Sequence, residues 1–335
     1  MSRIRKRSIA AVVAVMAAAI VTAAWSGLIR LPGQSVESIT LGEGAQPVFA
    51  LIYVAETKGY FEDEGLDVIY QTFATGRDAL ASVIRGETDV ATVFETPVVL
   101  RVSEGAELGV VTSLHASTRN TALIARRDRG IERPEDLRGK RIAVTKNTNG
   151  EFFLFLYLTS QGIELSDVTI VDTPPYEIVD ALSAGKVDAA ATWNTHLYDA
   201  RQAFAPDEAV VFVSDVYTGI SMLAAKREFI DARRPALRKM LRALVRAERF
   251  LRQNEDEAVD IVIRRFPERS AETIRGVWDD FEPQLRLDNV LLSVLEREAE
   301  WFISGGKLQP PVADFRSVIV TDILGEVKPV AVTVR

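Results

Sequence analysis

Two short polar pairs, each at the end of an apolar run, are the first places in this chain where chemistry could be done. Residues 90–94 (Val-Ala-Thr-Val-Phe) lead into Glu95-Thr96, and residues 189–193 (Ala-Ala-Ala-Thr-Trp) lead into Asn194-Thr195. In both copies a glycine precedes an aspartate by three (Gly86 and Asp89, Gly185 and Asp188). A small or β-branched run follows, then an aromatic (Phe94, Trp193), then the polar pair. A third place is the polar segment 145–151, Thr-Lys-Asn-Thr-Asn-Gly-Glu, which lies between a strand-like run and a helical pattern beginning at Phe152. Backbone N–H groups at such a helix start lack partners and can receive an anion or a carbonyl. This is the chemistry of binding. The chain has no cysteine and only two histidines, His115 and His196, far apart in sequence. It carries no HExxH, Walker loop or GxGxxG, so the usual catalytic signatures are missing and neither metal nor cofactor is expected.

The elements that must hold these pairs can be read from the spacing around them. Upstream of each pair lies an apolar helical pattern, 79–84 and 178–182, so each unit reads helix, turn, buried strand. Two similar units predict two similar lobes whose strand ends face each other, and ligands sit at the carboxyl ends of strands in open α/β sheets. The mature domain opens with a strand at 38–42. A helix follows over 48–58, with Pro47 at its first position and Gly59 stopping it, then a strand ending at Phe73, and a helix that Thr75 caps. This alternation predicts a mainly parallel sheet with helices on both faces. Further strands are expected at 110–114, 121–125, 141–144 and 168–171, with 221–225 returning to the first lobe. From Pro235 the pattern is helical, over 236–253, 256–265, 271–281 and 290–304. The apolar stripe of the first of these is Leu237, Leu241, Leu244, Val245 and Phe250.

At 335 residues, 47% apolar and 26% charged, the chain is long enough for two domains with cores of their own. A net charge of −7 leaves no basic excess for phosphates and argues against a nucleic-acid binder. The first residues place a basic cluster (Arg3, Arg5, Lys6, Arg7) ahead of the apolar run 9–24, which is the layout of a secretory signal. Residues 1–26 are expected to be a signal peptide or an uncleaved anchor, and residues 27–36 a linker. The first lobe is expected over 37–122 together with 219–335, and the second over 123–218.

The segment from Ala55 to Val68, Ala-Glu-Thr-Lys-Gly-Tyr-Phe-Glu-Asp-Glu-Gly-Leu-Asp-Val, resembles a segment of the periplasmic solute-binding proteins of nitrate, sulfonate and taurine ABC importers. That family includes relatives that bind thiamine-pyrimidine precursors. The resemblance continues in order through Gly76, 79–80, 86–89, 134–144, 150–153 and 184–189, and so covers almost the whole mature chain. It implies a type II periplasmic-binding-protein fold, with two α/β lobes joined by crossing strands near 121–127 and 218–226. It also implies a small solute held in the cleft and handed, on lobe closure, to a membrane permease with its ATPase. By position the ligand would meet Gln46, Gly76, Arg77, Glu95 and Thr96 from the first lobe. From the second it would meet Asn147, Thr148, Asn149, Gly150, Trp193 and Asn194, with Tyr217 near the hinge. The implied protein is a periplasmic monomer and not an enzyme.

One departure bears on the ligand. Many members of the family have small or neutral residues where this chain has Glu95, and Arg77 is also atypical. A carboxylate in the cleft would repel nitrate or a simple sulfonate. The expected ligand is therefore an organic solute bearing an amine or amidine-like donor, with Arg77 or the Asn147 loop taking any acidic end. The plainer alternative for Glu95 is a surface carboxylate that caps a helix or pairs across the cleft rim; for Arg77 it is a solvated first-turn residue. Other functions consistent with the same chain are a ligand-sensing receptor for a membrane signalling protein and an enzyme resembling the thiamine-pyrimidine synthases. The absence of cysteine and the export signal speak against the enzyme.

Overall fold

The computed structural model describes residues 36–334. The expected signal or anchor, and the linker as far as residue 35, lie outside the described residues. Among those described, no helix is long and apolar enough to cross a membrane.

Among the described residues, ten strands form two five-stranded sheets. The first has the order β2-β1-β3-β10-β4, built from β1 (Glu37–Glu43), β2 (Leu66–Thr72), β3 (Val90–Phe94), β4 (Leu108–Ser117) and β10 (Gly219–Lys226). The second has the order β7-β6-β8-β5-β9, built from β5 (Thr121–Arg126), β6 (Arg141–Val144), β7 (Thr169–Asp172), β8 (Ala189–Trp193) and β9 (Ala209–Phe212). The topologies correspond strand for strand. In each sheet three parallel strands end at a strand paired antiparallel, β10 against β3 and β5 against β8. The chain leaves the first sheet after Ser117, enters the second at Thr121, and returns between Phe212 and Gly219.

The equivalent strands β3 and β8 are buried along their whole length, as expected of strands covered on both faces. Among the helices are α1 (Ala50–Thr57), α2 (Gly76–Arg85), α3 (Glu95–Ser103), α4 (Asn149–Ser160), α5 (Asn194–Gln202), α6 (Arg234–Gln253) and α7 (Asn289–Ser304). On α6 the fully buried stripe is Leu237, Met240, Leu241, Leu244 and Ala247, whereas Val245 and Phe250 are only partly covered. The helical period of 3.6 carries the stripe on to Leu251 and past both of them. The basic residues Arg238, Lys239, Arg242 and Arg246 of α6 pair with Glu326, Glu37, Glu64 and Asp63. The aromatic first half of α4 is largely core. Phe152, Phe153 and Tyr157 are buried, and Phe155 stacks on Trp301 of α7 at 4.2 Å between ring centroids.

Candidate functional site

Strands β3 and β8 pass without a loop into α3 and α5. Phe94 and Trp193 are the extended residues at these helix starts, and neither supplies a capping side chain. The α4 start is likewise uncapped by its preceding residue, Thr148, whose hydroxyl instead donates to Thr145 O at 2.6 Å. The α2 start differs from these three in having a side-chain cap: Thr75 Oγ1 accepts from Asp78 N. Gly76 is required by packing, because a Cβ there would stand 2.9 Å from Val93 Cα. The α2 start therefore rests directly on β3. Gln46 precedes a short 3-10 turn, and its carbonyl accepts from Tyr53 Oη at 3.0 Å.

A chain of contacts ties these starts together across the hinge. Trp193 Nε1 donates to Asn149 Oδ1 at 2.7 Å, so α4 and α5 are locked within the second lobe. Asn194 N donates to Asn120 O at 2.8 Å, on one crossing segment. On the other, Ile220 N donates to Glu95 Oε2 at 3.0 Å. Tyr217 lies between the lobes, its ring 5.7 Å from that of Phe152, while its hydroxyl edge borders Gly219 beside Phe94.

Along this band, side-chain polar atoms are buried without a hydrogen-bond partner. They are Glu95 Oε1, both amide atoms of Asn120, Thr121 Oγ1, Asn149 Nδ2, Thr192 Oγ1, Asn194 Nδ2, the Tyr217 hydroxyl and Ser221 Oγ. Buried polar groups are ordinarily paired, and each left unpaired costs about 1–3 kcal/mol. A concentration of them at the edge where β3 and β8 end and the antiparallel β10 and β5 begin is what a polar ligand would relieve.

Glu95 is wholly buried, which overturns its reading as a surface or rim carboxylate. Desolvation pushes its pKa up to about 8, against the opposing pull of backbone N–H donors. Its neighbour Thr96 turns its hydroxyl away, donating to Glu298 Oε1 of α7, and Glu298 is also fully buried with Oε2 unpaired. Burial and the nearby Glu95 raise Glu298 well above the usual carboxylate range. His115, under Phe94, is buried and accepts from Glu282 N through Nδ1; desolvation lowers its pKa to about 3 and keeps it neutral. His196 is likewise lowered to about 4, first by desolvation and then by Arg269.

Other expected residues stand at the rim. Arg77, with 31% of its side chain exposed, reaches across the lobes to Lys146 O at 2.8 Å and also pairs with Asp78. It lines two clefts, one of about 160 Å³ with Asn147 and Lys307 and one of about 400 Å³ with Thr145, Asp172 and Tyr176. Asn147 is exposed and adopts a left-handed backbone at φ 59°. Glu151 Oε2 accepts its N–H and also Lys307 Nζ at 2.9 Å, a second contact between the lobes. Gly150 has only ordinary surroundings for a Cβ. The candidate residues thus divide into an inner set (Glu95, Asn149, Trp193, Asn194, Tyr217), an outer set (Arg77, Asn147) and supports (Gly76, Thr96, Thr148). Sequence reasoning missed Asn120, Thr121, Ser221 and Glu298. Asn120-Thr121 had a usable signal, a polar pair immediately before a crossing strand; Glu298, inside an ordinary amphipathic helix, had none.

Residues 46–258 match the family described as NMT1/THI5 like. The chain belongs to that family. A Brucella abortus (strain 2308) protein described only as a binding protein is 25% identical over 268 residues, covering 77% of this chain and 82% of its own length. The taurine-binding periplasmic protein of Escherichia coli (strain K12) is 28% identical over 141 residues, 42% of this chain and 43% of that one. Among solved structures, the periplasmic aliphatic sulphonate binding protein SsuA of Escherichia coli superposes with a TM-score of 0.74 at 18% identity, over 86% of this chain and 99% of its own. At that identity the likeness establishes the fold, which is that of the periplasmic binding proteins.

Proposed function

We propose that this protein is an extracytoplasmic receptor that captures a small organic solute between its lobes and delivers it to the permease and ATPase of an ABC importer. The names of relatives that bind taurine and aliphatic sulphonates support a small solute as cargo. The basic-then-apolar first 26 residues support export. The observation that carries the reading is the band of unpaired buried polar atoms at facing strand ends, with Glu95 Oε1 among them.

The ligand carries an amine or amidine-like group at one end. A buried acid held at about 8 is protonated at neutral pH when alone, so repulsion of anions is not its role. A cation placed beside Oε1 would restore the carboxylate and remove an unpaired oxygen. The amide donors of Asn149 and Asn194, and the uncapped starts of α4 and α5, would take an acidic or carbonyl end.

The test is native mass spectrometry of the gently purified domain followed by thermal shifts. Taurine and ethanesulfonate, which differ by the amine, are compared alongside aminopyrimidines, polyamines, aromatic carboxylates and nitrate. A true ligand at about a hundred times its Kd adds roughly 2.7 kcal/mol. A shift with amine-bearing solutes that is lost in Glu95→Gln is expected. Shifts with plain anions alone would discard the amine.

A further inference from the structure

Two acids meet at the first turn of α3 with no cation to balance them. Glu95 begins the helix, and the hydroxyl of the next residue, Thr96, donates to Glu298 from α7, 202 positions later in the chain. Both carboxyls are 0% exposed. Each has one oxygen engaged, Glu95 by Ile220 N and Glu298 by Thr96, and one with no partner. Neither appears in any ion pair among the described residues. Of the charged groups nearby, Lys307, beyond the end of α7, lowers Glu298 electrostatically but is ion-paired with Glu151 at the start of α4, which raises it again, and His115 on β4 is neutral. Two buried carboxylates at close quarters cannot both ionise without a compensating charge.

We propose that Glu95 and Glu298 act as one acidic unit, in which Glu298, held through the Thr96 hydroxyl, keeps its proton while Glu95 gives up its own, so that capture of a cationic solute beside Glu95 expels one proton and leaves the unit with a single negative charge. Glu298 is a positioning residue: kept neutral beside an ionised Glu95, it adds no second charge next to the ligand. The balance is simple: the ammonium enters, one carboxyl loses its proton to solvent, and the net charge of the site is unchanged. Affinity for a monocation then tightens about tenfold per pH unit while the unit remains protonated. The ligand half of this inference rests on the receptor reading above; the acidic unit itself does not.

The ligand-free protein is therefore titrated first, by carbon NMR with labelled glutamate side chains. Glu95 and Glu298 are expected to titrate together in two steps, both above the ordinary glutamate value of about 4.3. In Glu95→Gln the Glu298 midpoint should fall by at least about one pH unit, because the neighbouring charge that raises it is gone, and Thr96→Val, which removes a hydrogen bond that lowers it, should raise it. A Glu298 midpoint unmoved in both variants, or one in the ordinary range, would overturn the unit. The second arm measures the Kd of taurine in phosphate at pH 6, 7 and 8. The expected tightening of about tenfold per unit should persist in Glu298→Gln, because the proton expelled is that of Glu95. Taurine binding that is independent of pH would overturn the proton release. A pair that titrates as expected while taurine and the amine panel fail to bind would uphold the unit and remove the amine-ligand reading instead.

Discussion

The two units that echo each other in sequence, β3 with α3 and β8 with α5, share a backbone plan and differ in what they offer a ligand. Each is a fully buried strand that turns at an aromatic straight into an uncapped helix. Phe94 packs against Phe49 and His115 and contributes only apolar surface, whereas Trp193 adds an N–H that fixes Asn149. After the aromatic, the first lobe presents an acid and the second a neutral amide. Asn194 Oδ1 is engaged locally, accepting from Thr195 N, which leaves Nδ2 free. On the proposed reading, the same backbone plan carries a proton-bearing acid in one half and a hydrogen-bonding amide in the other. A solute with unlike ends fits that division.

The largest effect expected on this contrast is on affinity. Glu95→Gln should weaken taurine about a hundredfold or more, in keeping with the roughly 2–5 kcal/mol lost when one partner of a buried charged pair is truncated. Asn194→Ala, at the equivalent place, should cost about tenfold, the scale of one neutral hydrogen bond of roughly 0.5–1.5 kcal/mol. Calorimetry on both variants would break the comparison if their losses were equal.

Above about pH 6.5, where His115 and His196 are neutral whether folded or unfolded, the pH dependence of stability should come chiefly from the buried acids of the first lobe. Glu95 has a folded pKa raised to about 8, so its contribution is full below the unfolded value and is lost as pH rises through about 8. Ligand-free protein in amine-free buffer should thus lose on the order of 1 kcal/mol between pH 7 and pH 8.5 through Glu95. Glu95→Gln, which mimics the protonated side chain, should lose less. Urea midpoints measure this, and equal pH dependence in both proteins would remove Glu95 as the cause.

Smaller effects sharpen the aromatic half of the contrast. Trp193→Phe removes the donor to Asn149 and strands a buried amide oxygen, at a cost of about 1–3 kcal/mol by chemical denaturation. Phe94→Leu, with no hydrogen bond to lose, should show no change in Asn149 amide signals by NMR, whereas Trp193→Phe should shift them. Smallest is Arg77→Ala at the rim, where a partly exposed contact to Lys146 O is lost. Affinity should change by no more than about fivefold, since exposed contacts contribute about 1 kcal/mol or less. Small-angle scattering should show a larger open population without ligand.

Much of the fold is legible in the residues themselves because it obeys local rules. The strand 90–94 and its counterpart 189–193, the Thr75 cap and the four late helices all lie near the expected positions. Each is written in short-range periodicity, capping and glycine punctuation. The echo of Gly-x-x-Asp, apolar run, aromatic and polar pair likewise led to facing strand ends. The resemblance to the solute-binding family also marks Glu95 as a departure.

The environment of Glu95 is not legible in the same way. Whether a carboxyl ionises depends on what covers it, and Glu95 is covered by a hinge strand from 125 positions away and, through Thr96, by a helix residue 202 positions from that threonine. The same holds for the split between an inner set at the hinge and Arg77 and Asn147 at the rim. Sequence determined the lobes, their strand ends and the types of side chain placed there. Only the tertiary structure decided which of those side chains were taken out of water, because burial is a property of contacts between distant segments and not of any one of them.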